Sequence, residues 1–236
     1  MRTRQPRFGA LTDVNDVNED QRDAERSYYI EPMRLEDIPE VSRVERRCFP
    51  NPWPESAYRR ELRNPEGNHY IVLRQRQESP IEPATVAEPR GRLLLLPLLR
   101  RPERRVIDPI IGFAGMWILF DESHVTTIGV APEFRGQGLG ELLLATLFAA
   151  AIRRNGQWVT LEVRVSNRTA QALYVKYGFT RQGVRRHYYS DNGEDADIMW
   201  SASLRDPDYR ERIEQLRDDL FTRFRDSGIE IEMRDS

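Results

Sequence analysis

The sequence predicts an α/β fold of the α+β kind, and three observations carry that reading. Strand-like and helix-like apolar patterns alternate along most of the chain. The run IIGFAGMWIL is followed by HVTTIGV across a turn at Asp121 and Glu122, which makes the two natural antiparallel neighbours. Between Thr127 and Leu144 the chain reads TIGVAPEFRGQGLGELLL, a β-branched run, a proline, then glycines opening a leucine-rich helix. Gly136, Gly138 and Gly140 sit where that helix leaves its first amides unpaired. Amides converging at the positive end of a helix dipole bind anions, so a phosphorylated ligand fits there.

At 236 residues the chain can hold one substantial core with appendages, or two small domains. A formal net charge of −2, with no sustained basic surface, gives no reason to expect nucleic acid as the main ligand. Cys48 is the only cysteine, so an internal disulfide is excluded and a reducing compartment is suited. The first twenty residues lack the apolar core of a secretory signal, and no run is long enough to span a bilayer. The expected localisation is cytoplasmic.

Residues 1–27, rich in Asp, Asn and Arg, read as a disordered arm. The fold is expected to begin at Tyr28 with the strand YYIEPMR. Asp37 can cap a helix carrying Ile38, Val41, Val44 and Cys48, which stops before Pro50. NPWPESAYRREL holds Trp53 between prolines and then a short second helix; HYIVLR is the next strand. Residues 75–109, with many Pro, Arg and Glu around the run LLLLPLL, read as an insertion. Past the glycine loop, Leu139, Leu142, Leu143, Leu147 and Ala150 form a helical stripe that needs a sheet to pack on. Asn155 and Gly156 close that helix, and WVTLEVRV follows as a strand. Val159, Leu161 and Val163 lie on one of its faces, Thr160, Glu162 and Arg164 on the other. Ser166 or Asn167 caps a helix through Leu173 and Tyr174 that ends at Gly178. FTRQGVRRHYY and ADIMW supply two further strands joined by SDNGED. The tail 201–236 contains an amphipathic helix with Ile213, Leu216, Leu220 and Phe224 in a stripe, which could dock on the domain or join two copies in a homodimer.

Two motifs bring this order of elements to a known family. Arg135, Gly138 and Gly140 fit a Q/R-x-x-G-x-G/A loop, and LEVRVSNRTAQALYVKYGF contains N-x-x-A-x-x-L-Y-x-x-x-G-F at the right distance downstream. Residues 28–200 resemble the GNAT superfamily of acetyl-CoA-dependent N-acetyltransferases. Within it, CFPNPW, LEVRVSN and RRHYYSDNGEDADIMW resemble the bacterial ribosomal-protein-alanine N-acetyltransferases. The resemblance leaves out the arm, the 75–109 insertion and the tail. It implies a central mixed, mostly antiparallel sheet flanked by helices and splayed between its two central strands.

The resemblance also implies roles. The amides of Gly136, Gln137, Gly138, Leu139, Gly140 and Glu141, with Arg135, would cradle the pyrophosphate of acetyl-CoA as co-substrate, while Ile128, Gly129 and Val130 would pair with the pantetheine. The Val130 N–H or its neighbour would hold the oxyanion, and Asn167 matches a cofactor-contacting asparagine besides being a natural helix cap. Glu162 matches the general base, with burial expected to raise its pKa toward ~6 to 7; Tyr174 matches the general acid. Trp53, Arg185, Arg186, Tyr188 and Tyr189 would flank the acceptor, and no metal is required. His69, His124 and His187 lack ligand spacing and read as sheet residues.

An α-amine with pKa near ~8 asks less of a base than a lysine near ~10.4. That fits the acceptor the resemblance implies, the N-terminal alanine of a small-subunit ribosomal protein, without establishing it. Another protein N-terminus or a small amine is the near alternative; a non-catalytic coenzyme A-binding module is the alternative of another class. A Rossmann dinucleotide site is disfavoured because this loop follows an antiparallel meander.

Overall fold

The computed structural model describes residues 26–77 and 108–234. The element order is β1 (Arg26–Pro32), α1 (Ile38–Cys48), α2 (Glu55–Glu61), β2 (Asn68–Gln75), β3 (Ile110–Leu119), β4 (Glu122–Val130), α3 (Leu139–Arg153), β5 (Trp158–Arg164), α4 (Arg168–Lys176), β6 (Thr180–Tyr189), β7 (Glu194–Trp200), α5 (Pro207–Asp226) and β8 (Ile229–Met233). The strands form one eight-stranded sheet in the order β6-β7-β5-β4-β3-β2-β1-β8. Among the described residues only β4–β5 and β1–β8 run parallel, so the sheet is mixed and mostly antiparallel, as the resemblance implies.

Strand alternation divides the interior into two layers. Ile71 and Leu73 of β2 and Val159, Leu161 and Val163 of β5 point toward α3, whereas Tyr70 and Val72 of β2 and Phe113 of β3 point toward α1 and α2. Helix α3 is buried on more than the one stripe read from its leucines: Leu144, Ala145 and Phe148 are inside as well. Helix α5 packs on α3, and the rings of Tyr177 and Phe179 close on Phe148 at 5.6 and 5.7 Å. Each such leucine contributes about 1.5–3 kcal/mol by leaving water.

Three expectations need correction, and one strand is new. The first strand begins at Arg26 rather than Tyr28, because β8 borders it in parallel from Arg26↔Ile229 to Ile30↔Met233. Strand β8 has no counterpart in the sequence reading. Asp37 occupies the N-cap position of α1 but its side chain does not cap the helix; its carboxylate accepts from the Arg34 amide at 2.8 Å and from the buried Arg74 guanidinium. The turn between β3 and β4 falls at Phe120 and Asp121, with Phe120 at φ 57 and Glu122 already in the strand.

The apolar stripe of α5 is used within the chain: Ile213, Leu220 and Phe224 are buried in the main core. Of the two docking places expected for it, the stripe takes the domain itself. Residues 1–25 of the expected arm and the run LLLLPLL lie outside the described residues.

Candidate active site

The sheet opens at its centre. Strands β4 and β5 pair only from Glu122↔Trp158 to Val125↔Leu161, and beyond Val125 no pairing joins them. The divergence starts at a bulge. On β3, Gly115 and Met116 are consecutive, but they pair with Thr127 and Val125, leaving Thr126 as the extra residue. That residue resets the alternation, so Val125 before it and Ile128 and Val130 after it all face α3.

Ladder geometry then decides which amides face the gap. Ala131 donates to Ile111 O at 2.8 Å, which makes Gly112↔Val130 a non-hydrogen-bonded pair. By alternation the backbone polar groups of Gly129 turn to β3, while those of Ile128 and Val130 turn toward the gap. The Val130 carbonyl is occupied by Arg135 Nε at 3.0 Å and the Cys48 thiol at 3.3 Å. Gly129 contributes a missing side chain instead, since a Cβ there would stand 2.8 Å from the Phe113 ring and 3.3 Å from Phe49.

After Ala131, a 3-10 turn at Pro132–Phe134 leads into the glycine loop. Gly136 and Gly138 have φ values of 78° and 83°, a left-handed backbone that places Gly138 as the N-cap of α3. No side chain caps this helix, so its first amides keep their donors. Space for a Cβ at Gly136 and at Gly140 is open to 4 Å. Glu141, in the first turn, does not face that space: its buried carboxylate accepts from Lys176, from Arg223 at 2.9 Å and from the Tyr177 hydroxyl at 3.2 Å. Burial works to raise its pKa, but the Lys176 and Arg223 charges hold it below the ordinary carboxylate value.

On the face opposite α3, Glu162 of β5 lies beside His124 of β4. Glu162 Oε2 is 3.1 Å from His124 Nε2, and Oε1 is 3.2 Å from Arg185 of β6. The imidazole continues the chain of contacts: Nδ1 is 2.8 Å from Thr160 Oγ1, whose hydroxyl donates to Glu122 Oε1 at 2.5 Å. Its ring stacks on Trp117 at 5.7 Å. All these groups except Trp117 line a cleft of ≈ 770 Å³ floored by Trp158, Ile198 and Trp200. The expected upward shift of Glu162 is overturned. Burial pushes in that direction, but the His124 hydrogen bond and the charges of His124 and Arg185 prevail and hold the carboxyl below its usual value.

Tyr174 is half-buried on α4 with its ring 5.6 Å from Phe179. Burial raises its phenol pKa above the ordinary value, so it stays protonated at neutral pH. Its hydroxyl makes no hydrogen bond among the described residues. Asn167 is the N-cap of α4, its side-chain oxygen accepting from the Ala170 amide at 3.1 Å. Tyr177, by contrast, is wholly buried core.

The acceptor candidates fall on the α1–α2 loop, which holds Trp53, and on β6, which holds Arg185, Arg186, Tyr188 and Tyr189, and the loops beside them meet. Asn51, between α1 and α2, donates to Ser190 Oγ, between β6 and β7, at 3.1 Å. Trp53 is half-buried against Tyr58 at 5.7 Å, and its amide is held by the buried Glu45 carboxylate at 3.2 Å. Tyr188 is exposed, with the Arg185 guanidinium 5.6 Å from its ring; Tyr189 stacks under Arg164 at 3.7 Å, and Arg186 points at Asp195. His124 is the residue that sequence reasoning passed over. Its position in a period-two strand directly preceding the loop was visible, but which residue of β5 it faces depends on the β4–β5 register.

Comparison with known proteins agrees with this geometry. Residues 38–179 match the model of the acetyltransferase (GNAT) family. A Bacillus subtilis protein provisionally named a ribosomal protein bS18-alanine N-acetyltransferase is 36% identical over 168 residues, 71% of this chain and 91% of that protein. The Mycobacterium tuberculosis N-alpha-acetyltransferase RimI is 35% identical over 153 residues, 63% of this chain and 75% of that protein. Among solved structures, the ribosomal-protein-S18-alanine N-acetyltransferase from Escherichia coli superposes with a TM-score of 0.55 at 27% identity, covering 74% of this chain and 92% of that one.

Proposed function

The chain belongs to the acetyltransferase (GNAT) family, and from that premise we propose that it transfers the acetyl group of acetyl-CoA to the N-terminal alanine α-amine of a small-subunit ribosomal protein. The observation that carries the donor half is the splay of β4 from β5 directly before the left-handed glycine loop. The gap offers the amides of Ile128 and Val130 to an extended pantetheine, and the first turn of α3 offers its amides to a diphosphate. The open space at Gly136 and Gly140 admits phosphate oxygens that side chains would exclude.

In this reading Glu162 takes the proton of the attacking amine, directly or through one water. His124 and Arg185 hold the carboxylate ionised and fix where it points. The Val130 N–H, turned to the gap, donates to the carbonyl oxygen as negative charge develops there. Tyr174 gives its proton to the departing sulfur, so that the carbon–sulfur bond breaks as the carbon–nitrogen bond stands complete. Asn167 has its side-chain oxygen committed to the helix cap, which leaves its amide nitrogen for the donor. Trp53, Arg185 and Tyr188 border the acceptor entrance. Residues 28–200 form the acetyltransferase domain, interrupted at 75–109 and followed by the extension 201–236.

Support for the acceptor half comes from the names of the relatives, two of which refer to alanine of the same ribosomal protein. The test offers acetyl-CoA and the purified chain to alanine-initiated ribosomal peptides, other protein N-termini, polyamines and aminoglycosides. Turnover confined to the first class is expected. Turnover only of small amines would replace this acceptor, and none with any amine would leave a coenzyme A-binding module.

A further inference from the structure

Helix α5 and strand β8 lie beyond the residues 38–179 that the family model matches, yet α5 rests on the glycine loop and β8 borders β1. A Cβ placed on Gly138 would be 3.4 Å from the Phe224 ring and 3.6 Å from Leu220, both buried side chains of α5. The neighbouring Arg223 reaches Glu141 in the first turn of α3 at 2.9 Å. From the other side, the Tyr28 hydroxyl and the Arg26 guanidinium each donate to the Gln137 side-chain oxygen at 3.4 Å. Both belong to β1, whose outer edge is covered by β8. Gln137, Gly138 and Glu141 are thus each held by the C-terminal segment or by the strand it borders.

We propose that the segment Pro207–Met233 is a positioning element of the acetyl-donor site, with Phe224 and Arg223 holding the glycine loop in its anion-binding shape. The proposal rests on the reading that this loop takes the diphosphate of acetyl-CoA. A loop with two left-handed glycines has many accessible conformations, and binding must otherwise supply the free energy of ordering it. Bracing the loop beforehand lowers that cost, so the effect falls on donor affinity and not on the chemical step. Ile213 supplies the control. It is equally buried on the same helix but lies 11 residues before Phe224, about 16 Å along the axis.

The full chain is tested as Phe224→Ala, Phe224→Leu, Arg223→Gln and Ile213→Ala, by calorimetric titration with coenzyme A, steady-state kinetics and thermal melts. In Phe224→Ala the KM for acetyl-CoA and the Kd for coenzyme A rise about tenfold, with kcat at saturating donor within about twofold. Arg223→Gln gives a smaller shift in the same direction, Phe224→Leu recovers most of the affinity, and Ile213→Ala lowers Tm with KM unchanged. Equal KM shifts in Phe224→Ala and Ile213→Ala, or unchanged KM in Arg223→Gln and Phe224→Ala, overturn the proposal. Should Phe224→Ala fail to fold, Arg223→Gln and Phe224→Leu decide on the same criterion. Loss of coenzyme A binding by the unaltered chain would instead sink the donor reading, and this proposal with it.

Discussion

His124 Nε2 lies 3.1 Å from the carboxylate of Glu162, on neighbouring strands and at the threshold of the gap between them. His124 Nδ1 lies 2.8 Å from Thr160 Oγ1, whose hydroxyl donates to Glu122, and the imidazole reaches Glu162 through its other nitrogen. The carboxylate that faces the gap is therefore set by a chain of side chains running to the mouth of the cleft.

Because its folded pKa is lowered, Glu162 remains ionised well below neutrality, and its titration does not limit the reaction near pH 7. The rise of kcat/KM between pH 6 and 8 should follow the acceptor amine, with pKa near ~8 for an α-amine. His124→Gln removes the partner that lowers Glu162, so the carboxyl pKa rises and an acid limb moves up into the measured range. Glu162→Gln should cost about 10²- to 10⁴-fold in kcat. A wild-type profile with an acid limb at about 6 to 7 that disappears in Glu162→Gln would refute the lowered pKa, and an unaltered kcat in that variant would refute the base.

Tyr174→Phe keeps the ring against Phe179 and removes only the hydroxyl. We expect kcat to fall by about tenfold or more with both KM values nearly unchanged and Tm preserved. Release of free thiol, followed with a chromogenic disulfide, reads this directly. Unaltered kcat would show the phenol to be a packing residue.

Gly136 has φ 78 and open space around it, so alanine there costs backbone strain and no clash. About 1–2 kcal/mol of left-handed strain should reshape the loop and raise the KM for acetyl-CoA, leaving the KM for the peptide unmoved. Kinetics with each substrate varied in turn would separate the two; a shift in the peptide KM alone would contradict the cradle.

Arg74 is the buried hub that ties β2 to β1 and α1: its Nε meets Glu31 at 2.7 Å, Nη2 meets Asp37, and Nη1 donates to Asp108 O at 2.8 Å. Arg74→Ala strands the Asp37 carboxylate, itself only 6% exposed, and should destabilise the fold by about 3–5 kcal/mol in urea unfolding. Lysine cannot satisfy three acceptors in this geometry and should rescue little. A loss below about 1 kcal/mol would mean the pair is relaxed by water.

Much of this molecule was legible in its residues because the signals are local. Period-two and helical patterns located β2 through β7 and every helix, and the spacing of Arg135, Gly138 and Gly140 placed the loop at the head of α3. The fate of individual side chains was less legible. Asp37 looked like a cap, yet Arg74, 37 residues away in sequence, claims its carboxylate. Glu162 looked like a base raised by burial, yet His124 and Arg185 reverse the sign.

Local pattern settled every element but β8, their order and the family, since hydrophobic period, glycine placement and capping act within a few residues. Four features waited for the chain to close on itself. They are β8 on the edge of β1, α5 against the glycine loop, the Thr126 bulge that turns Val130 to the gap, and His124 beside Glu162. Each depends on strand register or on contacts between residues far apart in sequence, and electrostatics at a buried carboxylate is decided by neighbours that only packing supplies.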